Sequence, residues 1–199
     1  MSQKTDPKAI IGTETEKVLL QSYFAESAAY SRYTFYAAQA DKELFFPVGE
    51  VFRETAANEL RHAKVFFKYL PGGKPLQVNV ATNPGEIATT LENLETAAAE
   101  ELSEGVDFYL AAAMTARLEH FEDIAAHFEA IAKIEKNHHD RFMRYAEHIK
   151  NNTLWRRDKP VTWQCLVCGY VVEGLTPPEV CPACDHPYQH YIALEDIAL

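Results

Sequence analysis

Two segments, "NELRHAK" (Asn58 to Lys64) and "AKIEKNHHDRF" (Ala132 to Phe142), each set a Glu and a His three residues apart on an otherwise apolar helical stripe. Glu59 and His62 share a face with Phe52, Ala56, Ala63 and Phe66; Glu135 and His138 lie between Ala132 and Phe142. Burying a charge is costly unless something pairs with it. A fold containing both segments must therefore bring a partner to the acids, and this narrows what the chain can become.

The apolar periodicity around these segments predicts four long helices. Thr13 followed by Glu16 reads as a capping box opening the first helix, which runs to about Lys42 with Leu19, Tyr23, Tyr30, Tyr33 and Ala37 as its apolar positions. Pro47 suits the first turn of a second helix, to about Leu70, and "PGGKP" stops it. The loop "LQVNVATNPG" is long enough to cross the length of a bundle. A third helix is expected from near Gly85 to about Arg117, and a fourth from about His120 to about Lys150. Long helices with one long central connection predict a mainly α fold, a four-helix bundle with a single crossover, over residues 1–150. "NNTLWRRDKP" (151–160) reads as a charged linker. Beyond it Pro, Gly and Cys become frequent and short β-prone pieces appear, which predicts a small β-rich domain over 161–199.

Every predicted helix carries acid on its core stripe: Glu26 on the first, Glu59 on the second, Glu101 and Glu104 on the third, Glu135 on the fourth. Any one alone reads most simply as a salt-bridge partner, and a single Glu-x-x-His is common by chance. Together, five carboxylates in one apolar interior would repel strongly. The sequence places no Lys or Arg on the same stripes to neutralise them, and a pair of divalent or trivalent cations would. A Glu from each of two helices with Glu-x-x-His from the other two matches the general ligand pattern of di-iron carboxylate bundles. Imidazole among the donors favours iron or manganese over calcium or magnesium. His139 is also within reach of this face; His138 is preferred because it repeats the Glu59/His62 spacing. Tyr33, two turns after Glu26, either donates a hydrogen bond to a ligand carboxylate or packs, and Tyr109 is a second candidate of this kind.

All four cysteines, Cys165, Cys168, Cys181 and Cys184, fall in the last fifth of the chain as two C-x-x-C pairs. This spacing suits one tetrahedral metal better than disulfides. Gly169 allows the tight turn after Cys168. Four thiolates accept zinc or iron alike; a redox-active dinuclear site favours iron, because it needs a one-electron source.

A net charge of −10 argues against a nucleic-acid partner and against an anionic membrane surface. No apolar run approaches the roughly 20 residues that span a bilayer, and "MSQKTDPKAI" lacks the apolar core of a signal peptide, so a cytoplasmic location is expected.

The stretches "FAESAAYSRY", "ETAANELRHAK", "AAAEELSE", "IEKNHHDRF" and "WQCLVCGY" with "CPACDHP" together resemble the rubrerythrin family over nearly the whole chain. The resemblance implies a ferritin-like bundle followed by a rubredoxin-like domain. It implies two irons held by Glu26, Glu59, His62, Glu101, Glu104, Glu135 and His138, and one iron held by Cys165, Cys168, Cys181 and Cys184. It implies reduction of hydrogen peroxide to water, with electrons from NAD(P)H through a separate reductase, often by way of rubredoxin, and a homodimer. It further implies that one iron moves between His62 and Glu104 as the redox state changes. No G-x-G-x-x-G segment follows a predicted strand, so the chain is not expected to bind the nicotinamide itself. A ferritin-type iron-oxidising protein and a zinc-ribbon interaction protein are the competing readings. A tethered four-Cys module has no place in a storage shell, and four-thiolate iron(III), unlike zinc, would be red.

Overall fold

The computed structural model describes residues 4–72, 75 and 85–197. The central loop expected over 76–85 lies outside the described residues except for Gly85. Four rods form the bundle: α1 (Glu14–Lys42), α2 (Phe46–Phe67), a third rod, and α5 (Glu122–Lys150). The third rod is α3 (Thr90–Glu100), a π-helical stretch (Glu101–Asp107) and α4 (Phe108–Leu118) in series. Its backbone stays helical across both junctions, with φ/ψ of −57°/−36° at Glu101 and −65°/−43° at Phe108. α1 packs along α2, and the third rod along α5.

The helix starts follow local chemistry. Thr13 accepts a hydrogen bond from Glu16 N, while the Glu16 carboxylate turns back to Gly12 N, one residue earlier than a standard capping box. Pro47 lies in the first turn of α2. The third rod begins at Thr90, not near Gly85. Thr89 and Glu92 form a complete reciprocal capping box there, and it satisfies amide groups that Gly85 could not cap.

Three of the helix ends share one device. After α1, Leu44 sits at φ 64°, its N–H bonds Asp41 O, and Phe45 N reaches Ala40 O. His120 and Phe121 repeat the pattern after α4, and Asn152 and Thr153 after α5. These are Schellman caps with Leu, His and Asn where glycine is usual. Phe45 and Phe121, the residues just beyond two of them, fold back onto the core.

The α1 stripe differs slightly from the expected one. Leu19, Ser22, Glu26, Tyr33, Tyr36, Ala37 and Ala40 are buried, whereas Tyr23 is half-buried and Tyr30 is exposed. Two apolar clusters result. One centres on Phe52, Phe142, Tyr33 and Tyr36, the other on Phe66, Phe128 and Tyr109. Each fully buried aromatic contributes about 1.5–3 kcal/mol. The acids lie between the two clusters, held by rigid walls on both sides.

The C-terminal part is a three-stranded antiparallel sheet in the order β2-β1-β3: β1 (Val161–Cys165), β2 (Val171–Gly174) and β3 (Tyr191–Ala193). It rests on the bundle at the α1–α2 turn. Phe46 stacks on His190 at 3.8 Å and Phe45 on Trp155 at 5.8 Å. Leu154 and Ile192 complete the nearer apolar cluster. Trp155 Nε1 donates to Tyr191 O at 3.0 Å. Arg157 binds Glu195 and Asp196, and His148 on α5 approaches Asp196 at 3.4 Å. Leu154, Trp155 and Arg157 thus pack the connection against both parts, with charge used to tie the sheet down.

Candidate metal centres

Within the bundle, six of the seven expected side chains converge, all of them buried. They form two overlapping groups: Glu26, Glu59, His62 and Glu135, and Glu59, Glu101, Glu135 and His138. The donor atoms within each group lie inside 4.8 Å of one another. Glu59 and Glu135 belong to both, one oxygen facing each group. His62 Nδ1 lies 2.8 Å from Glu59 Oε2, 2.9 Å from Glu135 Oε1 and 3.9 Å from Glu26 Oε2. His138 Nδ1 lies 2.8 Å from Glu135 Oε2, 3.1 Å from Glu59 Oε1 and 3.9 Å from Glu101 Oε1. The two halves are thus related by an approximate two-fold axis.

The tyrosines obey the same symmetry. Tyr33 Oη donates to Glu101 Oε1 at 2.6 Å, and Tyr109 Oη donates to Glu26 Oε1. Asn58 Nδ2 lies 3.3 Å from His138 Nε2, the outer ring nitrogen. His139 turns away, its Nδ1 2.7 Å from Ala98 O, and ties α5 to α3. That resolves the choice left by spacing: His138, not His139, faces the acids.

These atoms fit metal ions better than they fit one another. Both Glu135 oxygens, Glu59 Oε1 and His138 Nδ1 are buried and lack a well-aligned hydrogen-bond partner. Native interiors rarely leave such atoms unpaired, and lone pairs converging on a point are what a metal uses. The electrostatics agree. Burial, then repulsion from Glu59 and Glu135, pushes the Glu26 and Glu101 carboxyls well above the usual range. Burial also works against ionised Glu59, but hydrogen bonds from His138 and His62 outweigh it and hold the group at about 2. Burial disfavours the imidazolium forms; contacts with Glu135 and Glu59 overcome it and raise both His62 and His138 to about 10. Protons on these groups balance the buried charge in the protein alone, and cations would displace them.

Three features go beyond the sequence expectations. Glu104 is exposed and belongs to neither group; it stands on the wall of a cavity of about 30 Å³ beside the acids. It projects from the π-helical stretch, whose wider turn carries it outward while Glu101 points in. Gly105 takes the inward position instead: a Cβ there would lie 2.7 Å from Glu135 Cβ and Cγ. Finally, two arginines are buried on these helices. Neither neutralises the acid groups: Arg32 pairs with Glu100, and Arg141 with Glu54 and Thr55.

The four cysteines meet at the edge of the sheet, all sulfurs within 4.8 Å. Cys165 and Cys184 are 3.7 Å apart, as are Cys168 and Cys181. A tetrahedron with metal–sulfur bonds of about 2.3 Å requires about 3.8 Å between sulfurs, so the set is sized for one ion. The two knuckles match: Gly169 N bonds Cys165 O and Asp185 N bonds Cys181 O, both at 2.9 Å, with positive φ at Gly169 and Asp185. Cys165 and Cys181 are buried while Cys168 is exposed, which gives the centre one solvent-facing side.

A four-helix bundle with a carboxylate–imidazole dinuclear cage, joined to a four-thiolate module, defines a class of two-centre iron proteins. Comparison with known proteins narrows this. The Rubrerythrin family model matches residues 17–146 and 92–164, and the rubrerythrin rubredoxin-like domain model matches 163–192. The chain is 44% identical to a rubrerythrin of Porphyromonas gingivalis, covering 92% of each chain. It is 41% identical to a rubrerythrin of Nitratidesulfovibrio vulgaris, covering 92% of this chain and 96% of the other. The solved structure of fully reduced nigerythrin superposes with a TM-score of 0.61 at 24% identity, covering 96% and 90% of the two chains. A Mycobacterium tuberculosis bacterioferritin superposes with a TM-score of 0.55 at 18% identity, covering 75% of this chain and 91% of the other, a likeness of fold alone. The chain belongs to the rubrerythrin family, with a ferritin-like fold, a di-iron carboxylate/His site and a rubredoxin-like four-Cys site. Among the described residues, no helix is long and apolar enough to cross a membrane.

Proposed function

We propose that this chain is a peroxidase that reduces hydrogen peroxide to water in oxidative-stress defence. Its cytoplasmic location and homodimeric state belong to the same reading, as does its division into a bundle (1–150), a joint (151–160) and a four-Cys module (161–199). The observation that carries it is the pairing, on one chain, of the two-fold carboxylate–imidazole cage with a four-thiolate group able to pass single electrons to it.

Glu26, Glu59, His62, Glu101, Glu135 and His138 would hold two iron ions, with Glu59 and Glu135 shared between them. Iron there supplies electrons and Lewis acidity to the O–O bond. The protein's part is positioning and proton supply. Tyr33 and Tyr109 fix the outer carboxylates by hydrogen bonds. Two protons are needed for each peroxide converted to two waters, and Glu104, on the cavity wall and open to solvent, is the group that relays them; movement of a metal ion between His62 and Glu104 belongs to this reading too. Cys165, Cys168, Cys181 and Cys184 would hold a single iron. The exposed Cys168, flanked by exposed Val167 and Tyr170, offers the entry side for electrons from rubredoxin or an NAD(P)H-dependent reductase.

Stopped-flow oxidation of the reduced protein by hydrogen peroxide, dioxygen and an alkyl hydroperoxide tests the reading. Hydrogen peroxide is expected to react fastest, and faster oxidation by dioxygen would refute the assignment. In Cys165→Ser one oxidation should survive while cycling with a reductase stops.

A further inference from the structure

The four-Cys module contains a buried hydroxyl that its own packing does not require. Tyr191 opens β3 and stands directly opposite Cys165 of β1. Directly opposed residues of antiparallel strands send their side chains to the same face. The Tyr191 ring therefore lies on the sulfur side of the sheet, fully buried in one cluster with Trp163, Cys165, Cys181 and Ala193. The main chain around it is pinned as well. Tyr191 O accepts from Trp155 Nε1 at 3.0 Å, and His190 O accepts from Leu166 N at 2.8 Å. A bare ring would serve this packing; the hydroxyl is surplus to it.

That hydroxyl oxygen is buried and has no well-aligned hydrogen-bond partner among the described residues. Native interiors seldom leave a donor so. What it stands beside is sulfur. Burial works against a Cys181 thiolate, yet the Tyr191 hydroxyl leads the donors that outweigh burial and hold the group at about 6. Burial, followed by the contact with Cys181, pushes the Tyr191 hydroxyl upward, so it keeps its proton. A metal takes all four cysteines as thiolates, and the Cys181 sulfur then carries the charge that an orphaned O–H can donate to.

We propose that Tyr191 donates a hydrogen bond to the Cys181 sulfur of the iron-loaded module and so raises the reduction potential of that iron. The proposal rests on the reading of this module as the relay for electrons, and it names a residue outside the four ligands that tunes the relay. The step is a transfer of one electron from the external reductase: iron(III) becomes iron(II), no bond breaks and no proton moves. The centre gains one unit of negative charge, shared with its sulfurs. A donor to sulfur therefore stabilises the reduced state more than the oxidised one. Cys181 is buried whereas Cys168 is exposed, so this contact is shielded from water and acts at full strength.

The test is Tyr191→Phe in the full-length, iron-loaded protein, which removes one oxygen and keeps the ring. The midpoint potential of the red centre is read from its absorption in a spectroelectrochemical titration. At a fixed applied potential the ratio of oxidised to reduced iron should rise about threefold or more, a midpoint lower by about 30 mV at about 59 mV per tenfold. The sulfur-to-iron(III) charge-transfer absorption should also move to longer wavelength, because a sulfur without its donor gives up an electron more easily. Tyr188→Phe is the control: Tyr188 is exposed and packs edge-on against Trp155, and its loss of a hydroxyl should leave both readings unchanged. A red Tyr191→Phe protein with the wild-type midpoint would overturn the proposal. So would an equal shift in Tyr188→Phe, which would make the potential a property of general packing. If the wild-type chain reconstituted with iron is not red, the four-thiolate iron reading fails, and the inference with it.

Discussion

Gly105→Ala adds one methyl group at the centre of the cage and tests whether the fold dictates the position of Glu135. The new Cβ would lie 2.7 Å from both Cβ and Cγ of Glu135 and 3.5 Å from Glu101 Oε2. Carbon atoms in contact prefer about 3.5–4.0 Å, so roughly 1 Å must be found. These contacts involve the base of the Glu135 side chain, which cannot swing aside as a carboxylate tip can. Either α5 moves away from the third rod or Glu135 leaves its rotamer. Overpacking of this kind costs about 1–3 kcal/mol, while removing a helical glycine returns about 0.5–1 kcal/mol. The net cost to folding is about 0–2.5 kcal/mol, a fall in Tm of at most about 10 °C for a chain of this size. Metal binding should suffer more, because Glu135 faces both groups and its displacement weakens both ions together. A loss of at least about 10–100-fold is expected, the scale for disturbing a supporting residue. Competition titration of the metal-free protein with cobalt(II) against a chelator measures it, with absorption of the four-Cys centre as an internal reference that should not change. Gly72→Ala is the control, since nothing lies within 4 Å of that position. Wild-type cobalt affinity at the bundle site in Gly105→Ala would refute the steric argument.

Three further outcomes follow from the same geometry. Tyr33→Phe removes the 2.6 Å hydrogen bond to buried Glu101 and should cost about 1.5–3 kcal/mol, read as a lower denaturation midpoint; an unchanged midpoint would mean that Tyr33 only packs. In the metal-free protein, His62 and His138 are raised to about 10, so their stabilising contribution is complete below the unfolded value near 6.5 and is lost as pH rises through about 10. Its Tm should therefore fall between pH 7 and pH 10 while that of the metal-loaded protein changes less, and parallel curves would contradict this. Trp155→Ala removes the ring stacked on Phe45 and the bond to Tyr191 O, and about 2–4 kcal/mol of docking with it. Hydrogen exchange should speed up in β3 and stay slow in the bundle helices; uniform protection throughout would show that the joint does not depend on this residue.

How far the cage was legible in the sequence follows from what each signal depends on. The two Glu-x-x-His segments, Glu26 and Glu101 sit at regular helical phase, and phase is a local property that periodicity reports. The cysteine knuckles are more local still, each needing only four residues and a turn. Glu104 lines the cavity beside the cage acids yet stands outside both donor groups, because three-residue spacing from Glu101 gives a fully shared face only while the helix keeps 3.6 residues per turn, and here it does not. No residue in "EELSEGVD" announces that change; it is set by packing against α5, where Gly105 lets the Glu135 stem approach. The third rod starts at Thr90 rather than near Gly85 for a different reason: a glycine only permits a boundary, whereas the reciprocal pair Thr89 and Glu92 caps a helix outright. The buried arginines were hidden because burial of a long cation depends on its partner, and Glu100 and Glu54 lie on other helices. Both arginines serve the cage by what they leave alone. Each satisfies an acid outside the two metal groups, so the charge of Glu26, Glu59, Glu101 and Glu135 remains for ions to balance.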